Sequence, residues 1–206
     1  MEKVTCLLIR HGKTKGNIEK RYIGCMTDEE LCDAGIAELD SDKLADLWPY
    51  LYEKVFVSPL KRCRQTAEVL LHDRKQSVID DFKEIAFGEF ENKNYIELQD
   101  NPAYREWLDS GGRMAFPGGE ARETFITRTV EAFYDIITKN TTAYEKKVLP
   151  FVIHGGNIMA IMSSLTGEDY YKFQIDCGDG YIVNCRVNEE KINVISYNRI
   201  SCRSDA

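Results

Sequence analysis

The order of apolar segments in this chain predicts an α/β fold with three layers, α/β/α, around a mostly parallel central sheet. One observation is a set of short, dense apolar runs at 4–9, 55–57 and 148–153, typical of strands buried on both faces. Another is that helical patterns follow the second and third of these runs. The length of 206 residues fits one domain, 1–206.

The first two runs each lead into polar residues. The run at 4–9 ends at Arg10-His11-Gly12, and the run at 55–57 ends at Ser58-Pro59. Serine is a favoured helix N-cap and proline a favoured first helical residue, so a helix is predicted to begin there. An apolar stripe from residue 60 to 71 leaves Arg62 near the start of this helix, within reach of the strand ends.

The second half of the chain also contains patterns that predict helices and strands. Apolar residues spaced by four, three and four between 126 and 137 predict an amphipathic helix over about 120–139. The run at 148–153 stops at His154-Gly155-Gly156, after which a helical pattern resumes. Two strand-like runs, 181–187 and 192–197, are separated by 188–191 and predict an antiparallel hairpin.

The stretch 80–119 has a weaker pattern and is interpreted as a lid-like insertion over the sheet edge. It contains glycine breaks and the side chains Tyr95, Arg105 and Trp107. These three side chains either contact a substrate's leaving group or pack within the lid, and packing is the favoured interpretation.

Charge and composition limit the partners. The net charge of −7 disfavours nucleic acid and anionic membrane, so an anionic substrate requires a local cationic pocket. The N-terminal apolar run is too short for a signal or membrane segment, and we expect a cytoplasmic protein. Seven cysteines without a C-x-x-C pair indicate reduced thiols, mostly buried. The sequence does not predict the oligomeric state.

Two histidines follow buried strands. His11 and His154 would both lie at carboxyl ends of strands, where open α/β sheets bind ligands. The glycines after them allow close approach of backbone to a ligand, and the helix start after His154 is a ready anion site. A single histidine at the end of a strand is as often a structural residue as a catalytic one. A metal site is not expected, because His11, His72 and His154 lack the spacing of metal ligands.

Several motifs occur together in a fixed order. They are LLIRHGKTKGN (7–17), RYIG (21–24), LCDAG (31–35), SPLKRCRQTA (58–67), EIAFGEFE (84–91), PGGE (117–120) and VIHGG (152–156). In this combination the chain resembles the histidine phosphatase superfamily, whose fold is phosphoglycerate mutase-like. The matching blocks extend over about three quarters of the chain.

The resemblance implies a role for each matching residue. His11 would be the nucleophile and Glu84 the proton donor, with Arg10, Arg62 and His154 forming the phosphate pocket and Asn17 assisting. The matching glycines Gly24 and Gly155 would bind substrate through their backbone. No cofactor or metal is implied, and the expected partner is a small phosphorylated substrate.

Physical chemistry is consistent with these roles. A neutral imidazole is a competent nucleophile near neutral pH, and forked guanidinium donors suit phosphate oxygens. A protonated His154 would add a cation, and a buried neutral carboxyl could protonate the leaving group. Four further acids lie near Glu84 and compete for that role, namely Asp80, Asp81, Glu89 and Glu91.

Hydrolysis is favoured over mutase chemistry within the family. The chain is short, lacks a long basic insertion after the acid block, and has Ile23 where mutases usually have threonine. Its length and PGGE block look most like α-ribazole phosphatases and broad-specificity phosphatases, although Asn92 stands where the α-ribazole group often has glycine. The alternatives are a phosphoglycerate mutase and a non-catalytic phosphate- or phosphoprotein-binding module.

Overall fold

A computed structural model describes residues 2–141, 148–187 and 191–204, and in these ranges six strands form one sheet. The strands are β1 (Glu2–Arg10), β2 (Lys54–Val57), β3 (Lys75–Val78), β4 (Val148–Ile153), β5 (Asp179–Val187) and β6 (Ile192–Ser201). They lie in the order β3-β2-β4-β1-β5-β6. β5 runs antiparallel to both of its neighbours, and the other neighbouring pairs are parallel. The predicted mostly parallel central sheet is therefore confirmed.

The described ranges contain seven α-helices, three of which pack on the sheet. The seven are α1 (Lys15–Ile18), α2 (Asp33–Ala37), α3 (Lys61–Leu70), α4 (Tyr95–Leu98), α5 (Pro102–Asp109), α6 (Arg122–Thr141) and α7 (Gly155–Thr166). Alternate side chains of β1 enter two different cores: Leu8 packs with Phe133 and Ile161 of α6 and α7, whereas Leu7 packs with Leu70 of α3. The sheet thus has buried apolar side chains on both faces, which explains why its central strands are apolar without alternation.

The register of β1 and β4 brings the two histidines together. Ile9 is opposite Val152 and Arg10 is opposite Ile153, so both strands end at the same level. One further backbone hydrogen bond joins His11 N to Ile153 O at 3.0 Å. His11 and His154 are therefore the next residues at the same edge of the sheet, as the sequence predicted.

The prediction for the start of α3 was wrong by two residues. The helix begins at Lys61, and its first amide donates to Asp28 Oδ1 at 2.7 Å, so a carboxylate from a distant loop caps it. Ser58 Oγ instead lies 2.8 Å from His154 Nε2. The local signal of Ser58-Pro59 was misleading because the serine side chain is used in a tertiary contact.

Strand β3 was not predicted. Its sequence, Lys-Gln-Ser-Val, has no apolar run, because β3 is an edge strand with exposed or half-buried side chains. By contrast, the helix predicted over 120–139 is present as α6, and the predicted hairpin strands pair as β5 and β6. Residues 188–190 of the connection lie outside the described residues. All seven cysteines are free and five are buried, as predicted.

The region 80–119 has a small core of its own. It holds α4, α5 and two 3-10 helices (Asp80–Phe82 and Gly88–Phe90), and it buries the aromatic side chains Phe90, Tyr104 and Phe116 in one cluster. These rings pack against Phe125 of α6. That the region works as a lid remains a prediction.

Candidate active site

A cavity of about 380 Å³ opens where β1 and β4 end, within the size range of small-molecule sites. Five of the predicted site residues line it: Arg10, His11, Asn17, Glu84 and Gly155. Aromatic side chains from the region 80–119 and from the segment after α7 form the rest of the wall, namely Phe87, Trp107, Phe116, Tyr170 and Tyr171. Five of the residues matched by motif therefore share one concave site, whereas Arg62 and His154 are fully buried and do not line it.

His11 is buried, with 3% of its surface exposed, and its ring has a defined orientation. Nδ1 lies 2.7 Å from the Gly12 carbonyl oxygen, which can only accept, so Nδ1 carries the proton. This leaves Nε2 with a free electron pair. Burial, reinforced by Arg62 and Arg10, holds the pKa of His11 well below its ordinary value, so the ring is a neutral potential nucleophile.

The two arginines differ in how many donors they have free. Arg62 is fully buried, and all three nitrogens donate to protein acceptors: Nη1 to Thr27 O at 2.9 Å, Nη2 to Gly24 O at 3.1 Å, and Nε to His154 Nδ1 at 3.3 Å. Arg10 donates to the Ile175 carbonyl, but its buried Nε has no acceptor among the described residues. Arg10 thus lines the cavity with one donor that no described residue satisfies, whereas Arg62 does not line the cavity and has all its nitrogens bound.

His154 is fully buried, and its ring centroid lies 5.1 Å from that of His11. Because Nδ1 accepts from Arg62, Nε2 must carry the proton that it donates to Ser58 Oγ. Burial and the nearby Arg62 also hold the pKa of His154 well below its usual value. The expected cationic form of His154 does not agree with these surroundings.

Glu84 is the acid that faces His11 across the cavity. Its carboxylate accepts from Ile85 N at 2.9 Å and from Gly156 N at 3.2 Å. Burial nevertheless raises its pKa above the ordinary value, which favours a protonated carboxyl. A Cβ on Gly156 would overlap Glu84 Oε1, so the glycine is required for this approach.

The competing acids lie elsewhere. Asp80, Asp81 and Glu89 are exposed, and Glu91 accepts from the backbone amides of Gly24 and Phe87. Of the five candidates, Glu84 alone lines the cavity. The motif assignment and the geometry agree on the same carboxyl.

Two of the expected substrate-binding residues have different surroundings. Asn17 Oδ1 accepts from Thr14 N at 3.0 Å, which orients its amide NH₂ toward the cavity that the residue lines. Gly24 does not line the cavity: its N–H donates to Glu91 at 2.8 Å and its carbonyl accepts from Arg62. That Gly24 contacts substrate stays a prediction, although both of its backbone groups already position other side chains.

Several residues of the site were not predicted from the sequence. Arg122 and Tyr170 line the cavity, and Tyr170 Oη donates to Gly156 O at 3.3 Å. No motif marked either residue, since both come from segments outside the family blocks. Trp107 both packs against Phe116 and lines the cavity, whereas Tyr95 and Arg105 are exposed and away from it.

Asn92, where the sequence departs from the α-ribazole pattern, has a φ of 56°. This left-handed conformation favours glycine, and asparagine is one of the few other residues that adopt it readily. The departure therefore leaves the turn geometry intact.

Two further properties concern the described ranges only. No three histidine, cysteine, aspartate or glutamate side chains in them cluster in a way that suits a metal ion. Across 2–141, 148–187 and 191–204, no helix has the length and apolarity to cross a bilayer.

Comparison with known proteins shows relatives of two activities. Over 178 residues the chain is 28% identical to the adenosylcobalamin/alpha-ribazole phosphatase of Escherichia coli (strain K12), covering 83% of this chain and 85% of that protein. Over 193 residues it is 22% identical to the 2,3-bisphosphoglycerate-dependent phosphoglycerate mutase of Afipia carboxidovorans, covering 88% and 92%.

The fold has counterparts among solved structures. The crystal structure of a putative alpha-ribazole-5'-P phosphatase from Escherichia coli superposes with a TM-score of 0.74 at 22% identity, covering 96% of both chains. The sequence pattern of the histidine phosphatase superfamily (branch 1) matches residues 6–200. With nearly the whole chain matched, the chain belongs to the histidine phosphatase superfamily.

Proposed function

We propose that this protein is a metal-independent phosphomonoesterase that hydrolyses small phosphorylated metabolites through a phosphohistidine at His11. The observation that carries the proposal is the pairing of a buried neutral imidazole, its Nε2 free, with a buried carboxyl of raised pKa across one cavity. Groups whose surroundings shift their pKa values toward a nucleophile and a proton donor are typical of catalytic sites.

In the first step, His11 Nε2 attacks phosphorus. An N–P bond forms while the bond between phosphorus and the ester oxygen breaks, and the Glu84 proton moves to the departing alkoxide. The positive charge of Arg10 and Arg62 stabilises the phosphoryl oxygens, together with the helix start at Gly155. These groups supply the charge that other phosphatases obtain from metal ions.

In the second step, Glu84 is ionised and takes a proton from water. The water oxygen forms a bond to phosphorus, the N–P bond breaks, and neutral His11 and protonated Glu84 are restored. The backbone amides of Ile85 and Gly156 stabilise the carboxylate in the interval.

The substrate is proposed to be a small phosphomonoester, and α-ribazole 5′-phosphate is the first candidate because named relatives act on it. We further propose that 1–206 is one domain acting in the cytoplasm, with 80–119 as a lid that excludes water from the cavity. The lid's aromatic side chains would then contact the leaving group.

The test is phosphate release from a panel of esters with EDTA present. The panel contains p-nitrophenyl phosphate, α-ribazole 5′-phosphate and 3-phosphoglycerate, and it compares the wild type, His11→Ala and His72→Ala. His72 is exposed and away from the cavity, so it is a matched control for losing an imidazole. We expect turnover in the wild type and in His72→Ala, none in His11→Ala, and an acid-labile phosphoenzyme in the wild type.

Other outcomes point to other functions. Isomerisation of 3-phosphoglycerate without phosphate release would identify a mutase. Phosphate binding without either reaction would identify a non-catalytic binding module. Loss of turnover in EDTA, restored by a divalent metal, would refute metal independence.

A further inference from the structure

The cavity wall opposite the strand ends contains a cation with no acidic partner. Arg122 lines the cavity, and among the described residues it forms no ion pair. Arg21, which also lines the cavity, is instead bound by Glu19 at 2.6 Å and by Glu97 at 2.7 Å. Arg122 thus differs from its neighbour in having its charge uncompensated.

Helix stability does not account for Arg122. It is the first residue of α6, where the helix dipole is positive and a cation is disfavoured. Its hydrogen bond to the Gly112 carbonyl, from Nη1, is long at 3.4 Å. Its guanidinium also lies 5.7 Å from the Tyr170 ring centroid. The local protein offers weak acceptors to a strong donor.

Other donors gather at the same place. Tyr171 Oη donates to the same Gly112 carbonyl, also at 3.4 Å. The Trp107 ring lies against Gly112, and its buried Nε1 has no acceptor in the described part of the chain. Two of these donors, on Arg122 and Tyr171, therefore share one carbonyl oxygen at long distance, and the third has no acceptor among the described residues.

The position of this cluster relative to the chemistry follows from a chain of contacts. Arg122 lies over Tyr170, Tyr170 donates to the Gly156 carbonyl, and the Gly156 amide donates to Glu84. Since Glu84 faces the ester oxygen in the proposed function, Arg122 lies on the leaving-group side of the phosphate.

We propose that Arg122, with Tyr171 and Trp107, forms a subsite for a second anionic group on the alcohol part of the substrate. This inference rests on the proposed function and narrows its substrate class to phosphomonoesters whose alcohol carries a carboxylate or another phosphate. Such a substrate is preferred over a neutral alcohol such as α-ribazole, because an oxyanion supplies the acceptors that these donors lack.

The test measures kcat/KM for two pairs of esters. O-phosphoserine and O-phosphoethanolamine differ by a carboxylate, and fructose 1,6-bisphosphate and fructose 6-phosphate differ by a phosphate. We expect Arg122→Gln to lower the preference for the anionic member of one pair by a factor of roughly 10 to 100. Arg122→Lys should restore part of it. Arg113→Gln, an exposed neighbour away from the cavity, should leave the preference unchanged.

The pair that responds identifies the anion. An unchanged preference in both pairs, or an equal loss for both members of each pair, would overturn the subsite. Turnover of p-nitrophenyl phosphate tests the proposed function separately. If no ester is hydrolysed, calorimetric binding of the same pairs to the wild type and to Arg122→Gln still measures the preference and decides the subsite.

Discussion

Replacing Gly156 by alanine tests whether Glu84 is the proton donor without removing the carboxyl. The new Cβ would overlap Glu84 Oε1 and lie 3.0 Å from Phe125 Cζ, within a buried site. Phe125 belongs to the packed core, so the carboxyl is the group that moves, by about 1 Å to reach ordinary contact. A displacement of that size at a reacting group costs about 100-fold in rate.

The loss of kcat/KM in Gly156→Ala should depend on the leaving group of the substrate. An alkoxide requires protonation, whereas p-nitrophenolate leaves without it, so we expect kcat/KM to fall about 100-fold for glycerol 3-phosphate and much less for p-nitrophenyl phosphate. Gly155→Ala is the matched control, because its Cβ would approach Arg10 Nε no closer than 3.4 Å. This control should keep the wild-type ratio between the two substrates.

Thermal unfolding measures whether Gly156→Ala remains folded and how much stability it loses. Moving the carboxyl weakens its two backbone hydrogen bonds, so we expect a loss of stability of about 1–3 kcal/mol, while the protein remains folded. Equal losses of kcat/KM for the alkyl and aryl esters would refute the assignment of Glu84 as the acid.

Two predictions concern the buried histidines. Ser58→Ala removes the closest acceptor for His154 Nε2 and leaves only the weaker Cys63 Sγ at 3.4 Å, so chemical denaturation should show a loss of about 1 kcal/mol; a change below about 0.5 kcal/mol, on the scale of ordinary surface substitutions, would contradict the assigned tautomer. The pKa values of His11 and His154 are lowered in the folded state, so below their ordinary value of 6.5 the unfolded chain binds more protons and stability should fall with pH. Glu84, whose pKa is raised, opposes this trend above its ordinary value of 4.5, so Glu84→Gln should make the decline below pH 6.5 steeper. Equal slopes in the two proteins would contradict the direction for Glu84, and a flat profile in Glu84→Gln would contradict the direction for the histidines.

The central sheet and the two histidine positions were predictable because they depend on strong local patterns. The apolar runs of β1 and β4 identify strands buried on both faces, and parallel strands ending together bring His11 and His154 to one edge. Glu84 could be selected from five nearby acids only through its motif, since burial in the cavity is a tertiary property.

The remaining features depend on contacts between distant segments. Ser58 has the sequence signal of a helix cap, yet its hydroxyl binds a histidine 96 residues away, while Asp28 caps the helix instead. Arg122 has no local signal at all, because a missing ion pair can be recognised only when the neighbours of the side chain are known. Strand β3 was not predicted because an edge strand does not require alternating apolar residues.

The hydrogen bonds of Arg62 affect how the kinetics of variants at this position should be interpreted. Its guanidinium ties the loop carbonyls of Gly24 and Thr27 to the imidazole of His154, so it joins three chain segments at one point. Lysine keeps the charge but has no planar fork with which to span those acceptors. A defect in Arg62→Lys would therefore report loosening of the loop and tilting of the ring as well as weaker phosphate stabilisation, and no single rate constant separates them. Arg10, with a free Nε, is the cleaner position at which to measure what one guanidinium contributes to phosphoryl transfer.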